Sequence, residues 1–271
     1  MEEGERAHRE AVPAARVLNE GGSSPYVVLC DHASNHVPRQ FGSLGLSPAD
    51  LERHIAWDPG ALPVSEALAQ SLDAVLVAST MSRLVIDLNR PLDAPDLIAA
   101  VSETTAVPGN ADLSDAAAAQ RIALAYEPYH AALDATIAGR LAAGRETQLI
   151  AIHSFNPVYR GVSRPWHVGV IHDDDERLSA PLIAALRRHD ELVVGVNEPY
   201  SPADRVYFTL ERHARARGLP CVMIEVRNDE IADGAGQARW AAILAEAIAE
   251  AGRLAGSTIG TQTPGRRGHI A

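Results

Sequence analysis

The chain has 271 residues, 46% of them hydrophobic and 22% charged, with a formal net charge of −11. That length buries one large α/β core or two small ones. The acidic balance, with no lysine-rich tract, argues against a nucleic-acid partner, since phosphate binding needs clustered Lys and Arg.

The start of the chain, Met1 to Arg6, is acidic and lacks an apolar signal core. No run approaches the roughly 20 residues of a membrane span. Cys30 and Cys221 sit in apolar runs and read as small core residues rather than a disulfide framework. These features lead to the expectation of a cytoplasmic protein without membrane attachment. Whether it is a monomer or a homo-oligomer is left open.

In chain order, residues 1–24 are expected to form a loosely ordered lead-in ending in Gly21-Gly-Ser-Ser24, followed by a strand over 26–30. Ser47-Pro-Ala-Asp50 carries an N-cap with proline at the first helical position, predicting a helix over 48–54. Apolar spacing at Leu62, Val64, Leu68 and Leu72 predicts a second helix over 59–72. Runs rich in Val, Ile and Leu predict strands over 74–79 and 84–88. The connection 91–113 is long and polar, as binding loops and lids often are.

A long Ala-rich helix is expected from a cap at Asp112 or Ser114 to about Ala143, closed by Gly144. Strands then alternate with helices: strand 149–152, strand 168–171, helix 179–189, strand 192–196, helix 208–217, strand 221–226 and helix 235–254. The tail 256–271 has no periodicity and is expected to be disordered. The alternation predicts a single α/β domain over 25–255, a three-layer α/β/α sandwich around a mixed, largely parallel sheet.

Five apolar runs end in polar clusters. Val27–Cys30 runs into Asp31, His32 and Asn35, and Leu84–Leu88 into Asn89 and Arg90. Leu149–Ile152 runs into His153 and Ser154, Val168–Ile171 into His172 and Asp173, and Cys221–Ile224 into Glu225 and Arg227. In open α/β sheets ligands gather at the carboxyl ends of strands, so the pattern predicts one polar site at one sheet edge.

His32 and His153 are candidate metal ligands, because catalytic zinc takes imidazoles plus a carboxylate and keeps one position open. The plainer reading is that each only hydrogen-bonds at the sheet edge. Asp58 is the candidate third ligand, against a role as N-cap of the helix begun by Pro59. Asp31 is the alternative, though awkward beside His32. Glu225, on an apolar strand, suits a general base, or is an inward acid satisfied by Arg227 or Arg83. Asn89 and Arg90 offer a fork for a carboxylate, with Arg160 and Arg164 as weaker candidates. Asn197 and Tyr200 follow the strand 192–196 and are candidate substrate-binding residues. Ser154 lies in no Gly-x-Ser-x-Gly elbow, and no phosphate loop is present.

The segments Asp31-His-Ala-Ser-Asn-His-Val-Pro38, Ser82-Arg-Leu-Val-Ile-Asp-Leu-Asn-Arg-Pro91, Pro128-Tyr-His130, Ile152-His-Ser-Phe155 and Ile224-Glu-Val-Arg-Asn-Asp229 together resemble the N-formylglutamate amidohydrolase family. The resemblance spans about residues 25 to 250. That family is similar to the zinc carboxypeptidases and aspartoacylases, which implies a zinc-carboxypeptidase-like α/β/α fold and a hydrolase using one divalent metal, zinc.

The resemblance further implies His32 and His153 as metal ligands, Glu225 as general base, Asn89 and Arg90 as holders of a substrate carboxylate, and Arg83 as the group polarising the scissile carbonyl. Asn35 stands where the family's relatives carry a glutamate ligand, so the third ligand is either Asp58 or Asn35. The expected substrate is a small acidic N-acyl amino acid. Alternatives are an amidase or carboxypeptidase-like activity on a short peptide or cell-wall fragment, and an inactive sensor of an acidic metabolite.

Overall fold

Runs that are apolar on both faces become the inner strands of a seven-stranded sheet in the computed structural model, which describes residues 12–259. In chain order the elements begin with β1 (Ala15–Leu18), β2 (Tyr26–Cys30), α1 (Pro48–Leu51), α2 (Ala61–Leu72) and β3 (Val75–Ser79). A two-strand hairpin follows, β4 (Val101–Ser102) and β5 (Thr105–Ala106), then α3 (Asp115–Arg121) and α4 (Glu127–Ala142). Next come β6 (Gln148–Phe155), a second hairpin of β7 (Val158–Tyr159) and β8 (Val162–Ser163), β9 (Val168–Ile171), α5 (Ser179–Leu186) and β10 (Val194–Val196). The chain closes with α6 (Phe208–His213), β11 (Cys221–Arg227) and α7 (Gly234–Ile259).

The sheet order is β1-β3-β2-β6-β11-β9-β10. Neighbours from β3 to β11 run parallel, as do β9 and β10, whereas β1 against β3 and β9 against β11 are antiparallel. The sheet is therefore mixed and largely parallel. Alternate residues feed two cores. Val28, Leu76, Ile150, Ile152, Val222 and Ile224 pack with α2, α5 and α7 on one face. Val27, Leu29, Val77, Leu149, Ala151 and Met223 pack with α4 and α6 on the other. Helices on both faces make a three-layer α/β/α sandwich, as the alternating pattern predicts.

Several sequence expectations are corrected. The lead-in contains β1, paired antiparallel along the outer edge of β3. The final helix, expected over 235–254, runs from Gly234 to Ile259, and of the tail expected over 256–271 the part 260–271 lies outside the described residues. The helix expected from Pro59 begins at Ala61, with Gly60 as N-cap at φ 80°, which removes the capping role considered for Asp58. The N-cap of the long helix is Ser114, which accepts from the Ala117 amide. Between α3 and α4 the helix widens into a π-turn over Ile122–Tyr126.

The strand expected over 84–88 is a series of buried turns. Extended, Arg83 and Asp87 would stand about 13 Å apart. Turned, they form an ion pair of 2.7 Å. The carbonyls that a strand would satisfy through its neighbours accept instead from side chains far along the chain: Asn110 Nδ2 reaches Leu84 and Arg121 Nη1 reaches Val85.

Candidate active site

Parallel pairing brings the carboxyl ends of β2, β6 and β11 side by side. Leu29 lies opposite Ala151, and His153 opposite Glu225. Two and three residues beyond Leu29, at Asp31 and His32, the chain leaves the sheet beside His153. The turn carrying Asp58 is pinned to this edge, since the Asp58 amide donates to the His32 carbonyl at 2.9 Å and Gly60 supplies the left-handed backbone that follows.

Three ligand-type side chains converge. His32 Nδ1 is 3.4 Å and His153 Nδ1 2.9 Å from the same oxygen, Asp58 Oδ2. Two donors at ordinary distances on a tetrahedral zinc lie about 3.3 Å apart. Each ring is backed by a further carboxylate: His32 Nε2 lies 2.8 Å from Asp87 Oδ1, and His153 Nε2 lies 3.3 Å from Asp31 Oδ2. A carboxylate behind the far nitrogen fixes the tautomer that leaves the near nitrogen's lone pair free, as in metal-binding histidines. His32 Nδ1 is buried and has no hydrogen-bond partner among the described residues.

The charges point the same way. Burial opposes ionisation of Asp31, Asp58 and Asp87, yet neighbouring His32, His153 and Arg83 hold all three below the usual carboxylate range. Burial likewise opposes protonation of His153, but its contacts with Asp31 and Asp58 lift it to about 10. Three buried carboxylates with Arg83 as the close fixed cation make a surplus of negative charge that draws protons onto the imidazoles. A divalent cation meets the same surplus, so the residues present fit one.

Glu225 differs from these acids. Burial pushes its carboxyl up to about 7, and its Oε2 has no hydrogen-bond partner among the described residues. It lines, with His32, Asp58 and His153, a cavity of about 290 Å³ that Arg83, Asn89, Arg90, Tyr159, Arg160 and Tyr200 also line. From the 91–113 connection, Asp96, Ala99, Val101, Ser102 and Glu103 form part of the wall.

Among the expected substrate-binding residues the structure is selective. Asn89 uses its side chain as a strut, with Nδ2 donating to the Val206 carbonyl and Oδ1 accepting from the Thr209 amide. Arg90 is held by Asp96 at 2.8 Å and by the carbonyls of Asn89 and Arg205. Asn197 does not line the cavity; its Oδ1 accepts from the His172 amide. The reason is strand direction, because β9 and β10 run opposite to β11 and their carboxyl ends, with His172 and Asn197, point to the other sheet edge. Tyr200 reaches the cavity because the chain doubles back, with the Glu198 carbonyl lying against Gly169 and Gly195. Asn35 is also absent from the wall, its amide donating to the Leu51 carbonyl at 3.0 Å. Arg164 stacks between Tyr159 and Tyr200 and donates to the Tyr200 hydroxyl.

His54 is a site residue that the sequence pattern alone does not single out. Its Nε2 lies 2.6 Å from the Ser154 carbonyl and 3.4 Å from Asp58 Oδ1, and burial lowers its pKa so that it stays neutral. The four-residue step from His54 to Asp58 was the available signal.

The model of the N-formylglutamate amidohydrolase family matches residues 24–232. The chain belongs to that family. Among solved structures this family member is similar to gene product Atu2144 from Agrobacterium tumefaciens, at 41% identity and a TM-score of 0.87, over 92% of this chain and 97% of that one. It is also similar to the N-formylglutamate amidohydrolase from Ralstonia eutropha JMP134, at 22% identity and a TM-score of 0.67, over 91% of this chain and all of that one. The second likeness is one of fold. None of the curated proteins matches the chain. Family membership supports amide hydrolysis as the reaction class. Among the described residues no helix is long and apolar enough to cross a membrane.

Proposed function

We propose that this amidohydrolase cleaves the amide of a small, acidic N-acyl amino acid with the help of one divalent metal, zinc being the best match to two imidazoles and a carboxylate. The observation that carries the reading is the meeting of His32, His153 and Asp58 within 4.8 Å of one another beside Glu225, whose Oε2 is buried with no hydrogen-bond partner among the described residues. His32 and His153 would hold the ion through Nδ1 and Asp58 through its carboxylate. Bound there, the cation supplies Lewis-acid polarisation of the acyl carbonyl and lowers the pKa of water.

Glu225 takes a proton from the attacking water as its oxygen adds to the acyl carbon. It returns that proton to the amide nitrogen as the C–N bond breaks, giving a carboxylic acid and a free amino acid. Arg83, its Nη1 3.5 Å from Asp58 Oδ1, stands beside the acyl oxygen's place and stabilises charge developing there. For the substrate carboxylate, Arg160 is the better-placed partner than Arg90. Arg160 lines the cavity from the turn between β7 and β8 and has no ion-pair partner among the described residues, whereas Asp96 already neutralises Arg90.

The test is hydrolysis of N-formyl-L-glutamate against N-formyl amino acid amides, with metal content measured on the same protein. The reading expects turnover of the acidic substrate that is lost on chelation and restored by zinc. Zinc-replete protein that hydrolyses neither would overturn it.

A further inference from the structure

The segment Pro128-Tyr-His130 lies outside the catalytic proposal, yet it sits at a change of helix geometry. The π-turn Ile122–Tyr126 gives way to α4 at Glu127. π-turns re-aim the side chains that follow them and recur at functional sites. Here three inward tips follow one another. The Tyr126 hydroxyl donates to the Arg90 carbonyl at 2.9 Å, the Tyr129 hydroxyl donates to Asp31 Oδ1, and His130 Nδ1 lies 2.8 Å from His213 Nε2.

Tyr129 has the most consequential partner. It is fully buried, and burial beside Asp31 raises its pKa, so the hydroxyl stays a donor. Its hydrogen bond occupies Asp31 Oδ1 and turns the other oxygen, Oδ2, toward His153 Nε2 at 3.3 Å. Neither of those two atoms makes a hydrogen bond among the described residues, so this charge contact is what each has for a partner. A rotated Asp31 would leave His153 Nε2 buried against nothing, and the ring would be free to present either nitrogen to Asp58. Asp87, which backs His32, is by contrast held by Arg83 and the Asn89 amide from its own segment.

We propose that Tyr129 is a positioning residue of the metal centre, acting through Asp31 to fix the tautomer and orientation in which His153 offers Nδ1 to the ion. The inference rests on the metal reading given above. It makes α4 a structural arm of the site, reaching across the sheet face to the ligand that β6 carries.

The experiment is zinc affinity by chelator competition for wild type, Tyr129→Phe, Asp31→Asn and the double variant, with Tyr126→Phe as control. Outer-shell partners of metal-binding histidines typically change affinity about 10–100-fold. Tyr129→Phe is expected to weaken zinc about tenfold, the double variant to be no weaker than Asp31→Asn alone, and Tyr126→Phe to bind as wild type does. A merely structural Tyr129 would lower the melting midpoint of the metal-free protein and leave affinity alone, and that result overturns the proposal. So do additive losses in the double variant, or an Asp31→Asn variant with wild-type affinity, a measurement that stands even if Tyr129→Phe does not fold. Wild-type protein that takes up no zinc overturns the metal reading itself and is told apart because every variant is then equally silent.

Discussion

At the residue scale, Glu225 and the acids around it sit in one buried cluster and behave in opposite ways. Asp58 and Asp87 stay ionised because each touches an imidazole and a guanidinium. Glu225 makes no such ion pair among the described residues, and burial is the largest influence on it, ahead of the nearby His153 and Asp58 charges. On the proposed mechanism, that contrast separates a ligand from a base. Glu225→Gln keeps the shape and removes the proton acceptor, so kcat should fall by about 10²–10⁴ while zinc content stays near that of wild type. A variant that loses its zinc would instead make Glu225 part of the binding site. The third-ligand question is equally direct. Asp58→Ala should lose zinc and Asn35→Ala should keep it, because the Asn35 amide is committed to the Leu51 carbonyl on the outside of the cavity. Elemental analysis of the two variants reads the answer, and retention by Asp58→Ala would reverse the assignment.

At the element scale, the return of the chain after β10 depends on two glycines. A Cβ on Gly169 would overlap the Glu198 carbonyl, and one on Gly195 would lie 2.7 Å from it. Gly169→Ala should therefore lift the 197–200 segment and with it Tyr200, costing about 1–3 kcal/mol of stability as overpacking does. KM should rise more than kcat falls, since His32, Asp58 and His153, the proposed ligands, lie on other segments; a fall in kcat with KM unchanged would place the damage at the reacting centre. A second element depends on Asp73. Its left-handed backbone ends α2, and its carboxylate accepts from the Ser23 amide and hydroxyl and from Asn19, lowering its pKa from 3.8 to about 2. A depressed folded-state pKa gives stability that is complete above the unfolded value and lost as pH falls through the folded one. The gap in denaturation midpoint between wild type and Asp73→Asn should thus be steady near neutral pH and close between about pH 4 and 2; a pH-independent gap would assign it to backbone conformation. The same elements explain what the sequence could reveal. Apolar runs ending in His32, His153 and Glu225 were legible because β2, β6 and β11 are parallel, so their carboxyl ends share an edge. His172 and Asn197 looked identical in sequence, but strand direction is set by pairing, and β9 pairs antiparallel to β11. Residues 84–88 misled for a related reason, since their carbonyls are satisfied by Asn110 and Arg121, partners that no local periodicity announces.

At the scale of the whole molecule, the sheet edge concentrates charge that folding alone leaves unbalanced. Asp31, Asp58 and Asp87 are buried to within a few per cent, and burying ionised groups is costly unless they are paired. A proton on His153 partly offsets that cost, in keeping with the lift that Asp31 and Asp58 give its pKa. A cation bound to the folded chain and not to the unfolded one stabilises the fold by mass action, about 2.7 kcal/mol at 100 times its dissociation constant. For a chain of this size that corresponds to a rise of roughly 5–10 °C in melting midpoint. Chelation should remove the increment, zinc should restore it, and magnesium should not, since it prefers oxygen ligands to imidazole. Asp58→Ala should melt at the same temperature with and without zinc, because it lacks the oxygen on which both imidazoles converge. A zinc-dependent shift that survives in Asp58→Ala would mean that the stabilising ion sits elsewhere, and the buried carboxylates would then need a different counter-charge.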